Sequence, residues 1–182
     1  MRTSDADILI IPGLGGSGPD HWQSRWQAKL STARRVEQTD WDRPLLADWR
    51  AAIATAVAEA QRPVILVAHS LGAITVADIA AELGDRVKGG FLVAPPSVRA
   101  IREIEGVDPR FAEGPFAALP FPSVLVASRD DPYATFEESE DFARGWQAEI
   151  ADAGNAGHIN AASGHGPWPE GLMRLAGFLK NL

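Results

Sequence analysis

Near the middle of the chain, residues Val64 to Gly72 read Val-Ile-Leu-Val-Ala-His-Ser-Leu-Gly. The first five residues are apolar, and a short uninterrupted apolar run is typical of a strand buried on both faces of a parallel sheet. Residues 71–83 then follow the pattern of a helix, and Gly84 stands where a glycine commonly ends one. The stretch therefore predicts a buried strand that turns directly into a helix.

The same alternation of strand and helix runs along the whole chain. We predict strands at 8–11, 34–38, 64–68, 90–94, 124–127 and 148–151, and helices at 20–30, 45–60, 71–83, 135–146 and 170–179. Residues 95–122 carry six prolines without a clear period, which indicates an excursion over one edge of the sheet. This alternation predicts one α/β domain over residues 1–182, with a central, mostly parallel sheet of about six strands flanked by helices.

The composition excludes several classes of function. The 182 residues include no cysteine, so disulfides, thiolate catalysis and cysteine-bound zinc are excluded. A formal net charge of −7 disfavours a surface that binds nucleic acid. No run approaches the roughly 18 apolar residues of a membrane span, and residues 1–7 lack the apolar stretch of a secretory signal. We expect a cytoplasmic protein with neither nucleic acid nor membrane as a partner.

Ser70 is the strongest candidate for a reactive side chain. It lies between the predicted strand and helix in the context of a nucleophile elbow, a sharp turn that lifts a serine hydroxyl above the sheet. Ala68 and Gly72, two positions before and after the serine, are small enough for the close packing of that turn. Ala68 stands where the common pattern has glycine. The alternative is that Ser70 serves only as the N-cap of the helix.

A nucleophilic serine needs a base, and the base needs a carboxylate that orients it. His69 adjoins the serine, where neighbouring side chains diverge, and we interpret it as a packed or hydrogen-bonded core residue. His21 precedes the serine, whereas hydrolases with this elbow run in the order serine, acid, histidine. His158 and His165, in the loop before the last helix, remain. The residues alone do not decide between them.

The acid is expected after a strand that follows the serine in sequence. Asp130 and Asp131 come directly after the predicted strand 124–127. Asp-Asp-Pro is also an ordinary turn sequence, although Pro132 restricts Asp131 to extended conformations, which would fix its direction. The spacing leaves both carboxylates open, but serine, acid and histidine all come at the carboxyl edge of the predicted sheet, where sites of such sheets lie.

The glycine-rich loop after the first strand supports two different functions. Gly13–Gly18 matches G-x-G-x-x-G, and Glu37 follows 19 residues later, as in dinucleotide-binding folds. Pro19-Asp20 places the start of the next helix after the motif, which argues against a dinucleotide. In a hydrolase, this loop supplies a backbone N–H, here that of Leu14, which forms an oxyanion hole with the N–H of Leu71. A non-catalytic interaction module on the same fold is a third hypothesis.

Five segments occur together in an order that resembles a known family. They are 12–17 (Pro-Gly-Leu-Gly-Gly-Ser), 20–23 (Asp-His-Trp-Gln), 68–72 (Ala-His-Ser-Leu-Gly), 128–133 (Ser-Arg-Asp-Asp-Pro-Tyr) and 157–160 (Gly-His-Ile-Asn). The chain thereby resembles the small serine hydrolases of the α/β-hydrolase superfamily, which include the retinoblastoma-binding serine hydrolase and YdeN-like proteins. The resemblance spans nearly the whole chain and implies a minimal, lidless α/β-hydrolase fold without a cofactor. It also implies Ser70 as the nucleophile, Asp131 as the orienting acid and His158 as the base.

Together, these residues predict a serine hydrolase of the carboxylesterase kind that acts on a small acyl substrate. His21 and Trp22 follow the glycine loop and are expected to line the substrate pocket, although buried aromatic residues more often pack than recognise ligands. No His-x-x-x-His pair is present and cysteine is absent, so we expect neither a metal nor another cofactor.

Overall fold

A six-stranded sheet forms the centre of the protein in the computed structural model, which describes residues 1–114 and 117–182. Its strands are β1 Asp7–Ile11, β2 Ala33–Arg35, β3 Val64–His69, β4 Val87–Val93, β5 Ser123–Ala127 and β6 Glu149–Asp152. They are all parallel and lie in the order β2-β1-β3-β4-β5-β6. The predicted fold class, a parallel sheet of six strands flanked by helices, is confirmed.

Helices cover both faces of this sheet. Their bounds are α1 Trp22–Lys29, α2 Leu46–Ala58, α3 Leu71–Ile79, α4 Val98–Glu103, α5 Phe136–Trp146 and α6 Pro169–Lys180. Apolar residues of α2, α3 and α5 form one core with Leu9 and Ile11 of β1. Those of α1 and α6 form a second core with Ile8 and Ile10. Successive side chains of a strand point to opposite faces, so an uninterrupted apolar run is what a sheet covered on both sides requires.

The structure corrects several predicted element bounds. The weakly predicted strand at 34–38 is the three-residue β2, and β4 begins three residues before the prediction, at Val87. The predicted helix 71–83 is α3 only as far as Ile79, and a 3₁₀ turn at Ala80–Glu82 follows it. The residues of β2 are only half-buried at the sheet edge. Their sequence therefore lacks the apolar run that marks the central strands.

The proline-rich excursion contains a helix that the sequence did not predict. Within residues 95–122, α4 follows Ser97, whose hydroxyl accepts the backbone N–H of Ala100 over 3.2 Å as an N-cap. A helix of six residues is too short to show a 3.6-residue period among so many prolines. Pro115 and Phe116, which belong to the predicted excursion, lie outside the described residues.

The strand order places two loops side by side at the carboxyl edge of the sheet. β1 and β3 are neighbours although β2 separates them in sequence, and Ile11 pairs with Ala68. The loop after β1 therefore lies beside the turn after β3. In open α/β sheets, ligands bind at such a switch in strand order. Among the described residues, no helix is both long enough and apolar enough to cross a membrane.

Candidate active site

Ser70 occupies a strained turn between β3 and α3. Its φ of 54° and ψ of −126° lie outside the regions that non-glycine residues ordinarily adopt. The neighbouring strand β4 stabilises this conformation, because the N–H of Ser70 donates to the carbonyl of Val93 over 2.9 Å. A Cβ on Gly72 would lie 2.4 Å from the carbonyl oxygen of Pro12, so glycine is required for α3 to pass this close to the loop after β1. Ala68 is fully buried, and its methyl group is accommodated.

A hydrogen-bonded chain connects Ser70, His158 and Asp131. His158 Nδ1 lies 2.9 and 3.0 Å from the two carboxylate oxygens of Asp131, and His158 Nε2 lies 2.9 Å from Ser70 Oγ. A carboxylate only accepts, so Nδ1 donates, and Nε2 of the neutral ring is free to accept the serine hydroxyl. The side chains of His158 and Asp131 are only 9% and 3% exposed. The arrangement can take a proton from Ser70.

Asp130 and His165, the alternatives that spacing left open, lie elsewhere. Asp130 accepts the backbone N–H of Gly157 over 2.7 Å and the hydroxyl of Ser128 over 2.8 Å. These hydrogen bonds lower the pKa of Asp130, and the one from Gly157 has the largest effect. His165 Nδ1 lies 3.2 Å from the hydroxyl of Ser163. Asp130 thus fixes the loop that carries His158, whereas Asp131 contacts the imidazole itself.

Two side chains from other elements hold the backbone at and after His158. His69 Nε2 donates to the carbonyl of His158 over 2.9 Å, and Trp22 Nε1 donates to the carbonyl of Ile159 over 2.9 Å. Ile159 is fully buried with a φ of 47°, an unfavourable conformation for a β-branched residue. The two donors and the packing of Ile159 keep the loop in this conformation. These contacts therefore fix the position of the His158 ring.

The amides expected to form an oxyanion hole lie at the junction of the two loops. A Cβ on Gly13 would lie 2.7 Å from the Cβ of Ser70 and 3.2 Å from the amide nitrogen of Leu71, so the glycine loop touches the elbow. Within the described part of the chain, neither Leu71 N–H nor Leu14 N–H has a hydrogen-bond acceptor. Leu71 N–H belongs to the first residue of α3, where the helix dipole favours negative charge.

The rest of the glycine loop is occupied by contacts within the protein. Gly15 N–H donates to the carbonyl of Trp41 over 2.9 Å, and Gly16 N–H donates to the carbonyl of Gly13 over 3.1 Å. The guanidinium of Arg35 binds the carbonyls of Gly16 and Ser17. A dinucleotide site would need these amides to face a pyrophosphate.

A cleft of about 230 Å³ opens onto Ser70. It is smaller than the pockets of roughly 300–1,000 Å³ that hold drug-sized ligands. Its lining is polar at Ser17, His21, His69, Ser70, His158 and Asn160, and it is completed by Leu14, Pro96, Ile104 and the aromatic ring of Tyr133. The ring of Tyr133 contacts that of His158 edge-on, with centroids 4.6 Å apart. The size suits a short substrate.

The structure separates the two residues predicted to line the substrate pocket. His21 lies in the cleft wall, and burial, assisted by the charge of Arg35, lowers its pKa to about 4. Trp22 is fully buried, is absent from the lining and packs against Trp26 and Trp168. The prediction for Trp22 is corrected, because its ring belongs to the buried core that includes Ile8 and Ile10 of β1. A larger hollow of about 530 Å³ between α4 and α5 shares no lining residue with the cleft.

The model of the serine hydrolase family matches residues 8–177. The chain belongs to this family. A protein described as a YdeN-like hydrolase from Pectobacterium atrosepticum is 33% identical over 97% of this chain and 91% of its own, with a TM-score of 0.85. The ydeN gene product of B. subtilis is 21% identical, with a TM-score of 0.81 over 96% of this chain and 99% of its own. A comparison with curated proteins gives no match.

More distant structures share the fold of this serine hydrolase. The esterase domain of a Rhodothermus marinus protein is 17% identical, with a TM-score of 0.72 over 95% of this chain and 85% of its own. The family match and the YdeN-like relative identify the protein as a hydrolase, and the more distant structures show that it shares their fold.

Sequence reasoning did not predict the two donors that hold the His158 loop of this serine hydrolase. The sequence places His69 beside Ser70 and Trp22 on α1, 89 and 137 residues from the carbonyls that they bind. No local pattern signals such contacts. The one available signal was the interpretation of His69 as a hydrogen-bonded core residue, which the structure confirms.

Proposed function

We propose that this protein hydrolyses small esters through an acyl-enzyme formed on Ser70, with His158 as the base and Asp131 as the orienting acid. The observation that supports the proposal most strongly is the hydrogen-bonded chain from Ser70 Oγ through His158 to Asp131, at the mouth of the cleft. Each member lies at the carboxyl end of a strand or in a loop at that edge. A small acyl compound is the proposed ligand.

In the first half of the reaction, the hydroxyl of Ser70 attacks the ester carbonyl while His158 Nε2 takes its proton. Asp131, which accepts from Nδ1, keeps the imidazole in the tautomer whose Nε2 is unprotonated. It also stabilises the imidazolium that forms. The imidazolium then gives the proton to the leaving alcohol, and the acyl group stays on Ser70.

Negative charge develops on the carbonyl oxygen during this attack. The proposed donors are the N–H of Leu71, in the elbow, and the N–H of Leu14, in the glycine loop that touches the elbow. One such donor is typically worth about 3 kcal/mol of transition-state stabilisation. In the second half of the reaction, water attacks the acyl-enzyme, with His158 again removing a proton, and Ser70 is released.

Two alternative functions are less well supported. A dinucleotide-binding oxidoreductase is disfavoured because the amides of Gly15 and Gly16 bind carbonyls of the protein itself. A non-catalytic interaction module would need neither the connected serine, histidine and carboxylate nor a cleft beside them. The cytoplasmic location expected from the sequence stays a prediction.

Hydrolysis of p-nitrophenyl acetate by the purified protein tests the proposal. The wild-type protein should release p-nitrophenol with saturation kinetics, and Ser70→Ala should lose at least about a thousandfold in kcat, in line with removal of a triad member. Ser31→Ala, at an exposed serine outside the cleft lining, serves as the matched control and should keep wild-type activity. Equal activity of wild type and Ser70→Ala would refute the proposed nucleophile.

A further inference from the structure

The ring of His21 stands at the start of α1 with its two nitrogens in different surroundings. His21 Nδ1 accepts the backbone N–H of Gln23 over 3.2 Å, so the imidazole is the N-cap of the helix. A nitrogen that accepts an N–H carries no proton of its own. The single proton of the neutral ring therefore sits on Nε2, and this edge of the ring is a hydrogen-bond donor.

The donor at Nε2 has no acceptor. The atom is buried, and no acceptor for it exists among residues 1–114 and 117–182. The nearest rings are those of His69, with centroids 4.8 Å apart, and Trp22, at 5.4 Å. His69 donates through its own Nε2 to the carbonyl of His158, and no hydrogen bond joins the His69 ring to His21 Nε2. Buried polar groups of native proteins are nearly always paired, so an unpaired donor on a residue that lines the cleft calls for a ligand.

The chemistry of the cleft limits what that ligand can be. The His21 residue is only 6% exposed, and its lowered pKa of about 4 keeps the ring neutral at pH 7. The lining contains neither lysine nor arginine. A carboxylate would thus enter without a cation to pair with, which is unfavourable in a partly desolvated site. An uncharged oxygen that can accept a hydrogen bond fits the donor.

We propose that His21 Nε2–H binds an uncharged acceptor oxygen of the substrate, so that the protein prefers short esters carrying an ether, keto or hydroxyl oxygen over purely aliphatic ones. The proposal rests on the proposed ester hydrolysis at Ser70 and assigns His21 as a residue that determines its specificity. The cleft of about 230 Å³ confines this oxygen to the few atoms next to the reacting ester group. A site built to donate to a substrate oxygen discriminates against the analogue that lacks it.

Two pairs of esters test the proposal, each differing by one oxygen in place of one methylene. The acyl pair is p-nitrophenyl methoxyacetate and p-nitrophenyl butyrate. The alcohol pair is 2-methoxyethyl acetate and n-butyl acetate, followed by titration of the released acid. For each pair, kcat/KM of the ether ester is divided by kcat/KM of the aliphatic ester. Intrinsic reactivity cancels when this ratio is compared between wild type and variants.

Two variants separate the donor from the helix cap. His21→Asn keeps a side-chain oxygen that caps α1 but has no donor that reaches the Nε2 position. His21→Gln loses the short cap but carries an amide N–H at about the Nε2 distance. We expect His21→Asn to lower the ratio about tenfold in one of the two pairs, the loss of one hydrogen bond, and His21→Gln to retain most of it. The affected pair tells whether the oxygen belongs to the acyl or the alcohol group.

The ratio in His21→Asn decides the outcome. Ratios within twofold of wild type in both pairs would overturn the proposal and leave the donor to bound water. A ratio lost in His21→Gln but kept in His21→Asn would overturn it as well, because the cap alone would then matter. If the wild type hydrolyses none of the four esters, the proposed function fails together with the inference, which is a different result from unchanged ratios.

Discussion

His69 Nε2 donates to the backbone carbonyl of His158 over 2.9 Å, so the residue directly before Ser70 holds the residue whose imidazole contacts Ser70. The donor is buried, and burial lowers the pKa of His69 well below its ordinary value. The ring therefore stays neutral at pH 7, with its one proton on Nε2. Two hydrogen bonds therefore connect the elbow to the loop of His158. One runs from His69 Nε2 to the carbonyl of His158, and the other joins Ser70 Oγ and His158 Nε2.

Removing this contact should impair the chemical step more than substrate binding. His69→Leu leaves the carbonyl of His158 without a donor, and we expect kcat to fall at least tenfold with little change in KM. An unsatisfied buried carbonyl also costs about 1–3 kcal/mol of stability, which urea unfolding measures. His69→Gln, whose amide can donate from a similar position, should recover most of kcat. Equal kcat values for wild type and His69→Leu would show that the contact does not position His158.

The two loop histidines should differ sharply in their effect on activity. His158→Ala removes the group within 2.9 Å of Ser70 Oγ, and we expect kcat/KM for p-nitrophenyl acetate to fall by at least about a thousandfold. His165 contacts Ser163 and does not line the cleft, so His165→Ala should stay within about threefold of wild type. The opposite result, an inactive His165→Ala beside an active His158→Ala, would assign the base to His165.

The neighbouring carboxylates provide a second matched pair. Asp131→Asn replaces the carboxylate, whose two oxygens both accept, by an amide. The amide favours the tautomer of His158 whose Nε2 carries the proton, and kcat should fall by about three to four orders of magnitude. Asp130→Asn keeps an oxygen that can accept the N–H of Gly157, so activity should change little. Kinetics of both variants under identical conditions measure this difference. Similar losses in both would mean that the carboxylates act on activity through loop structure alone.

The buried His21 should make stability depend on pH. Its pKa of about 4 in the folded protein lies below the ordinary value of 6.5, so the unfolded chain binds its proton first as the pH falls. The free energy of unfolding therefore decreases between about pH 6.5 and pH 4. For this one group, the decrease from pH 7 to pH 4.5 is about 2 kcal/mol. His21→Asn should lose less stability than wild type over that range in urea titrations, and equal losses would contradict the account.

Long apolar segments made most of the fold predictable from the sequence. β1, β3 and β5 are buried on both faces, so each contains an uninterrupted apolar run, and their bounds are close to those predicted. β2 is short, half-buried and lies at the edge of the sheet, which leaves no such signal. α4 could not be predicted from the sequence, because a helix of six residues depends on its packing and shows no helical period.

The site was predictable only as far as chain order determines it. The order Ser70, then Asp131, then His158 places all three at one edge of the sheet, but the choice of Asp131 over Asp130 depends on the direction of one turn. Spacing does not encode that direction, and the resemblance to the serine hydrolases supplied it. The position of Trp22 beneath the site depends on the rotation of α1 about its axis. Because α1 has few apolar residues besides Trp22 and Trp26, its sequence pattern does not define that rotation. The rotation is set by packing in the folded protein.

Labelling with a fluorophosphonate tests the central claim, that Ser70 is an activated nucleophile, most directly. Intact-mass spectrometry of the wild-type protein should show one phosphonyl adduct, and peptide mapping should place it on Ser70. Ser70→Ala should remain unlabelled with an unchanged circular dichroism spectrum, and His158→Ala should label much more slowly. An adduct on another residue, or undiminished labelling of Ser70→Ala, would contradict the account.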